Sequence, residues 1–131
     1  MRKKLFVGLA RLLCVLSFCM FFSACNVRKV DDVVLVAENV MEGQTLLSYM
    51  ADCQEDGKIT FSVQDGMVVK MNGVANTTKS FWMLYTTDTE NANQSWGTYT
   101  HNGETLGSAM YGAESLIIKN GETYVWTYQT F

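Results

Sequence analysis

The side chains able to do chemistry are few and scattered along the 131 residues. The chain has one histidine, His101, next to an Asn102-Gly103 turn signal. A zinc or copper site needs several converging ligands, and nothing beside His101 supplies them, so it reads as a turn residue. Asp52, Glu55 and Asp56 cluster, but their spacing lacks the alternating oxygens of a calcium loop. They read as a solvated helix end. Gly107–Gly112 is not a phosphate loop, Ser108 has no neighbouring histidine, and no nucleophile elbow or dinucleotide fingerprint occurs. Covalent catalysis needs both a nucleophile and a base. The expectation is a protein that is not an enzyme, with no catalytic residues, no metal and no cofactor.

The aromatic side chains are more informative. Tyr85, Trp96, Tyr99 and Tyr111 lie in or beside the polar stretch Thr87–Thr105 and the Gly107–Gly112 segment. Rings offer stiff contact area with a polar tip, and loops on a rigid sheet are where binding residues usually sit. With Thr86 and Met110 they form the candidate ligand-binding set. Thr87, Asp88 and Asn91–Ser95 are either further polar contacts or a solvated loop. Each ring has the core as its alternative place, and for Trp82 and Trp126 the core is the expected one.

These residues need elements to position them. Val33–Ala37 reads as a first strand. A helical pattern opens at Glu42-Gly43-Gln44-Thr45, with Leu46, Leu47, Met50 and Cys53 as a buried stripe and Tyr49 at its edge. Gly57 is its natural stop. Cys53 is either a small core residue or a reactive thiol. Ile59, Phe61 and Val63 alternate as a strand, Asp65-Gly66 signals a hairpin, and Met67–Met71 is a strand ended by Asn72-Gly73. Phe81–Tyr85 is the most apolar strand and is expected at the centre of the sheet. Trp96–His101 and Glu104–Leu106 flank Asn102-Gly103, and Leu116–Lys119 leads to Asn120-Gly121. Thr123–Gln129 closes the chain, with Tyr124, Trp126 and Tyr128 on one face and Val125 on the other. The fold class is α+β, with one helix packed on a curled mixed β-sheet.

Residues 1–25 read as an address. Arg2, Lys3 and Lys4 precede the apolar run Leu12–Phe22, broken only by Ser17, and then Ser23-Ala24-Cys25. Leu12–Ala24 has 13 residues, against the ~20 that cross a bilayer. Phe22-Ser23-Ala24-Cys25 resembles the lipobox of bacterial lipoproteins, with Phe22 where leucine is usual, and this implies lipidation at Cys25. Ordinary secretion with Cys25 as a bystander is the alternative. Residues 26–31 are a tether and 32–131 the domain. Processing removes Cys14 and Cys19, so Cys53 is left as a lone thiol that cannot form an internal disulfide. The leader also takes Arg2, Lys3, Lys4 and Arg11, four of the ten basic residues, and none of the thirteen acidic ones. The remainder therefore carries −7 instead of −3. That balance disfavours nucleic acid and anionic lipid heads as partners.

Five segments taken together resemble the transcobalamin-like C-terminal domain family. They are Gly43–Met50, Val69–Val74, Phe81–Thr86, Gly107–Ala113 and Gly121–Tyr128. The resemblance implies a β-grasp-like domain of the kind found in bacterial surface lipoproteins, and a cobalamin-related ancestry in which the domain covers one face of a corrin. The large helical partner barrel of transcobalamin is absent, and Thr87–Thr105 is an insertion relative to the family. The expected function is a membrane-anchored, extracytoplasmic ligand-binding lipoprotein on the outer face of a bacterial membrane. It is expected to be monomeric and to take a corrinoid or another ring-bearing small molecule. The alternative is a surface interaction or adhesion module for a partner protein.

Overall fold

Alternating burial marks the first element. In a computed structural model describing Lys29–Phe131, strand β1 (Val33–Val36) buries Val33 and Leu35 and leaves Val34 and Val36 exposed. The leader, Cys25 and the first part of the tether lie outside the described residues.

Helix α1 (Leu46–Glu55) starts at Thr45, whose extended backbone and side-chain oxygen cap the Ser48 N–H at 3.2 Å. Its next free donors dock on the chain that follows β7: Leu46 N–H bonds Leu116 O at 2.8 Å, and Leu47 N–H bonds Ala113 O at 2.9 Å. The helix ends as expected at Gly57 (φ 77°). Gly57 N–H returns to Gln54 O and Lys58 N–H to Cys53 O, which satisfies the last carbonyls. Leu46, Met50 and Cys53 are buried, while Leu47 and Tyr49 are half-buried at the edge.

The remaining elements are β2 (Phe61–Gln64), β3 (Met67–Met71), β4 (Val74–Ala75), β5 (Ser80–Thr86), β6 (Ala92–His101), β7 (Glu104–Ala109) and β8 (Thr123–Thr130). Asp65-Gly66, Asn72-Gly73 and Asn102-Gly103 each place two successive residues at positive φ. That is the two-residue hairpin turn these dipeptides favour.

The strands do not form one mixed sheet. They form a five-stranded sheet ordered β1-β8-β5-β7-β6 and a three-stranded sheet ordered β2-β3-β4, and every pairing is antiparallel. Two-residue turns force antiparallel pairing within β2-β3-β4. The ladder then fails to pass from β4 to β5, because side chains take the places of strand partners. Asn76 Oδ1 accepts the Trp82 N–H at 2.9 Å, and Trp82 Nε1 donates to Val74 O at 2.8 Å. β5 is the middle strand of the large sheet, as its apolar sequence implies.

Two segments differ from the sequence reading. Leu116–Lys119 buries Leu116 and Ile118 like a strand, but its hydrogen bonds go to the chain ahead of α1, and it makes one isolated bridge, Ile117 to Thr45. The strand expected over Trp96–His101 starts earlier, at Ala92, so that β6 takes in Ala92–Ser95 of the polar stretch and forms an edge of the large sheet.

The main core lies between one face of the large sheet and a layer made of α1, the small sheet and Ala113–Ile118. Leu46, Met50, Met71, Leu84, Leu116, Tyr124 and Trp126 meet there. Burying each such side chain is worth about 1.5–3 kcal/mol. On the opposite face Tyr85, Leu106 and Val125 form a second cluster, with Met83 and Tyr99 packed against it. Tyr124 and Trp126 therefore point one way from β8 and Val125 the other, as the alternation predicts.

Candidate functional site

The central strand β5 is paired on only one side along much of its length. It meets β8 from Ser80↔Thr130 through Thr86↔Tyr124, but meets β7 only at Tyr85↔Ser108 and Thr86↔Gly107. Beyond Ser108 the chain veers off toward β6, where Met110 N–H bonds Asn91 O at 2.9 Å. Ser80–Met83 is left without a partner strand on that side.

A cleft of about 380 Å³ occupies the gap. Trp82, Leu84 and Trp126 line it from the large sheet, Met110–Gly112 from the departing chain, and Gly66–Val68 from the β2–β3 turn. Gly66 (φ 77°) packs so close to Glu114 that an added Cβ would collide with its carboxylate. No charged side chain lines the cleft. The residues lining it include the aromatic Trp82, Tyr111 and Trp126 and the thioethers Met67 and Met110, with Asn76 and Ser108 as polar ones; Phe81 and Met83 border it as neighbours of Trp82 along β5.

Asn91, which anchors the Met110 rim, is itself held by Asp88. The Asp88 carboxylate accepts Asn91 Nδ2 at 2.8 Å, Glu90 N–H at 3.2 Å and Lys119 Nζ at 3.2 Å. Burial alone would raise the Asp88 carboxyl, which is 2 % exposed, but these donors hold it below its ordinary value.

The six expected ligand residues do not come together. Met110 and Tyr111 line the cleft, 39% and 51% exposed. Tyr85 and Thr86 are successive residues of β5, so they face opposite sides of the sheet, and both are buried. Tyr85 stacks on Tyr99 on the far face, ring centroids 5.5 Å apart. The Tyr99 hydroxyl bonds the Asp32 carboxylate, and that bond, then burial, raises the phenol above its ordinary value. Thr86 Oγ1 accepts the Asp88 N–H at 3.1 Å. Trp96 stands 63% exposed in Gln94–Gly97, which bulges out of the β6–β7 ladder.

Sequence reasoning missed Trp82, Trp126 and Met67 as cleft residues. The two tryptophans are core residues, as expected, and they also line the cleft. Cys53 is buried in the main core, and burial pushes its thiol up, which fits the core alternative. His101 is half-buried at the end of β6, and among the described residues no group of three His, Cys, Asp or Glu side chains is placed to share a metal ion. Among the same residues no helix is long and apolar enough to cross a membrane.

Compared with known proteins, the chain matches no family model, no curated protein and no solved structure.

Proposed function

We propose that the protein is a membrane-anchored, extracytoplasmic ligand-binding lipoprotein without catalytic activity, and that a ring-bearing small molecule occupies the β5 cleft. The observation that carries this reading is the cleft itself. Its volume of about 380 Å³ falls within the ~300–1,000 Å³ of small-molecule sites, and its apolar walls with few polar groups match their usual composition. The anchor rests on the Phe22–Cys25 sequence. The β-grasp-like, curled form of the sheet belongs to the same reading. Its support is the Tyr99–Asp32 bond, which links edge strand β6 to the residue preceding edge strand β1.

A corrinoid is the first ligand to test, on the resemblance to the transcobalamin-like family. The cleft is smaller than a whole corrin, so a corrinoid would enter by one edge. The protein expressed from its full-length gene is titrated with cobalamin and cobinamide, followed by absorbance and calorimetry. A shift in the corrin bands with saturable heat supports a corrinoid ligand. Neither signal at high micromolar concentration removes it.

Trp96 favours the second reading, a surface interaction or adhesion module. An indole held out on a bulge of an edge strand is placed to meet a partner protein. Trp96→Ala separates the two readings. It leaves binding in the cleft unchanged and abolishes adhesion if the second reading holds.

A further inference from the structure

We infer that the ring-bearing occupant of the cleft is a short, uncharged peptide, bound in extended form along the free edge of β5. This rests on the cleft being a ligand site, and it adds the chemical class of the ligand.

Successive residues of a strand turn their backbone groups to opposite edges. Lys79 O takes the Phe131 N–H at 2.8 Å, so the odd-numbered residues of β5 face β8. Ser80, Trp82, Leu84 and Thr86 face the other edge, where the Trp82 N–H meets Asn76 Oδ1 and Thr86 pairs with Gly107. The cleft touches Phe81, Trp82, Met83 and Leu84 in succession. Their side chains alternate between the two faces of the sheet, so a cleft that meets all four runs along the edge, against the backbone.

Two groups on that edge have no protein partner among the described residues: the Trp82 C=O and the Leu84 N–H. The stretch is closed at both ends. Thr77 N–H takes Ser80 O at 2.8 Å, Thr77 Oγ1 takes the Ser80 N–H at 2.9 Å, and Asn76 takes the Trp82 N–H. At the other end the pairing with β7 begins at Tyr85↔Ser108. One extended residue laid parallel to β5, opposite Met83, completes what remains. Its N–H donates to Trp82 O, and its C=O accepts the Leu84 N–H. The neighbours of that guest residue put their side chains on the face of Trp82 and Leu84, and a ring there packs among Trp82, Trp126 and Met67. No charged side chain lines the cleft, so a charged guest side chain would lose its hydration without gaining a partner. The closed ends suit a short free peptide and not a strand of a partner protein running through.

The test uses N-acetyl-phenylalanyl-alanine methylamide, its ester analogue with lactate in place of alanine, and tetralin, a ring with neither donor nor acceptor. Met83–Leu84 is the one Met-Leu step of the chain, so ¹³C-carbonyl methionine with ¹⁵N-leucine picks out the Leu84 amide of the full-length protein. Tryptophan and methionine labelled the same way pick out Met83, whose N–H faces β8. In the free protein the Leu84 N–H is expected to exchange with solvent faster than that of Met83. The peptide slows this exchange and moves the Leu84 resonance downfield, and tetralin does neither. The ester, which lacks the N–H for Trp82 O, binds about fivefold weaker than the peptide, the net worth of one hydrogen bond. Equal protection of Leu84 and Met83 in the free protein shows a closed edge and overturns the peptide class. So does equal binding of peptide, ester and tetralin with the Leu84 resonance unmoved, which leaves the cleft reading standing. Binding about tenfold tighter, or 1.4 kcal/mol, on adding three alanines at each end of the peptide assigns the edge to a strand of a partner protein and overturns the short free peptide. No binding by any probe at about 1 mM, within reach of ligands of this size, overturns the cleft reading itself.

Discussion

Replacing Asp88 by alanine tests how the cleft rim is built. The carboxylate is buried and accepts three donors, from Asn91, Glu90 and Lys119. Lys119 contributes little to the loss. Its side chain is 42% exposed and keeps its contact with Glu90, and such pairs are worth under ~1 kcal/mol. The Asn91 amide and the Glu90 N–H lose a charged acceptor in a half-enclosed site, where hydrogen bonds to charged groups are worth about 1.5–3 kcal/mol and do not simply add. The expected loss is about 2–3 kcal/mol. In urea unfolding followed by tryptophan fluorescence, this lowers the midpoint by roughly 2 M. The pH dependence has a definite sign. The folded-state carboxyl lies below its ordinary value, so its stabilisation is present above the unfolded value of about 4 and is lost as pH falls through the folded value. The gap between wild type and Asp88→Ala therefore stays constant from pH 5 to 8, on the order of the figure above, and narrows below about pH 4. Because Asn91 O holds the Met110 N–H, the same substitution also loosens the rim of the cleft. Equal midpoints at pH 7, or a gap that persists undiminished to pH 2, would refute this account of Asp88.

Three further substitutions probe the frame. Gly66→Ala meets both a positive φ and the Glu114 carboxylate, and should cost about 1–2 kcal/mol in thermal unfolding; adding Glu114→Ala recovers the part due to collision. Met50→Ala empties a fully buried position facing the large sheet and should cost about 2–5 kcal/mol, read as a lower urea midpoint with unchanged circular dichroism at pH 7. Tyr99→Phe removes the bond to Asp32 and should cost about 1 kcal/mol. The raised phenol makes this contribution present below its unfolded value of about 10 and lost as pH rises through the folded value, so wild type and variant melt together at sufficiently alkaline pH.

Much of the fold is legible because its signals are local. Asp-Gly and Asn-Gly turns and the Gly57 stop each act within a few residues, and each stands where the sequence puts it. Strand order is not local: nothing near Val33 says that β1 pairs with β8 ninety residues later. Leu116–Lys119 shows the limit of periodicity, since alternate burial is shared by strands and by extended loops whose hydrogen bonds go elsewhere. Only the start of β6, within Asn91–Ser95, was not legible as strand, because an edge strand carries polar side chains along its exposed positions. The expected ligand residues are dispersed for a similar reason. Tyr85, Thr86, Tyr99 and Tyr111 are near in sequence, but the two-residue period of the strand sends Tyr85 and Thr86 to opposite faces, and Tyr99 follows Tyr85.

The cleft was beyond sequence reading because it comes from a ladder that stops. After Ser108, a continuing β7 would run along β5 and fill the gap with backbone and side chains. It does not, because Met110 N–H goes to Asn91 O instead. β6 can lie close enough to compete because position 107 has no side chain: a Cβ there would stand 3.0 Å from Ala92 Cβ and 3.2 Å from Gln94 Cγ. Gly107 brings β6 in, Asp88 aligns Asn91, and Asn91 draws Met110 away from β5. These contacts hold apart two apolar surfaces that would otherwise gain by closing, at about 25 cal/mol per Å². A fold that keeps Trp82 and Trp126 beside an open gap forgoes that gain, and a ligand filling the gap would restore it.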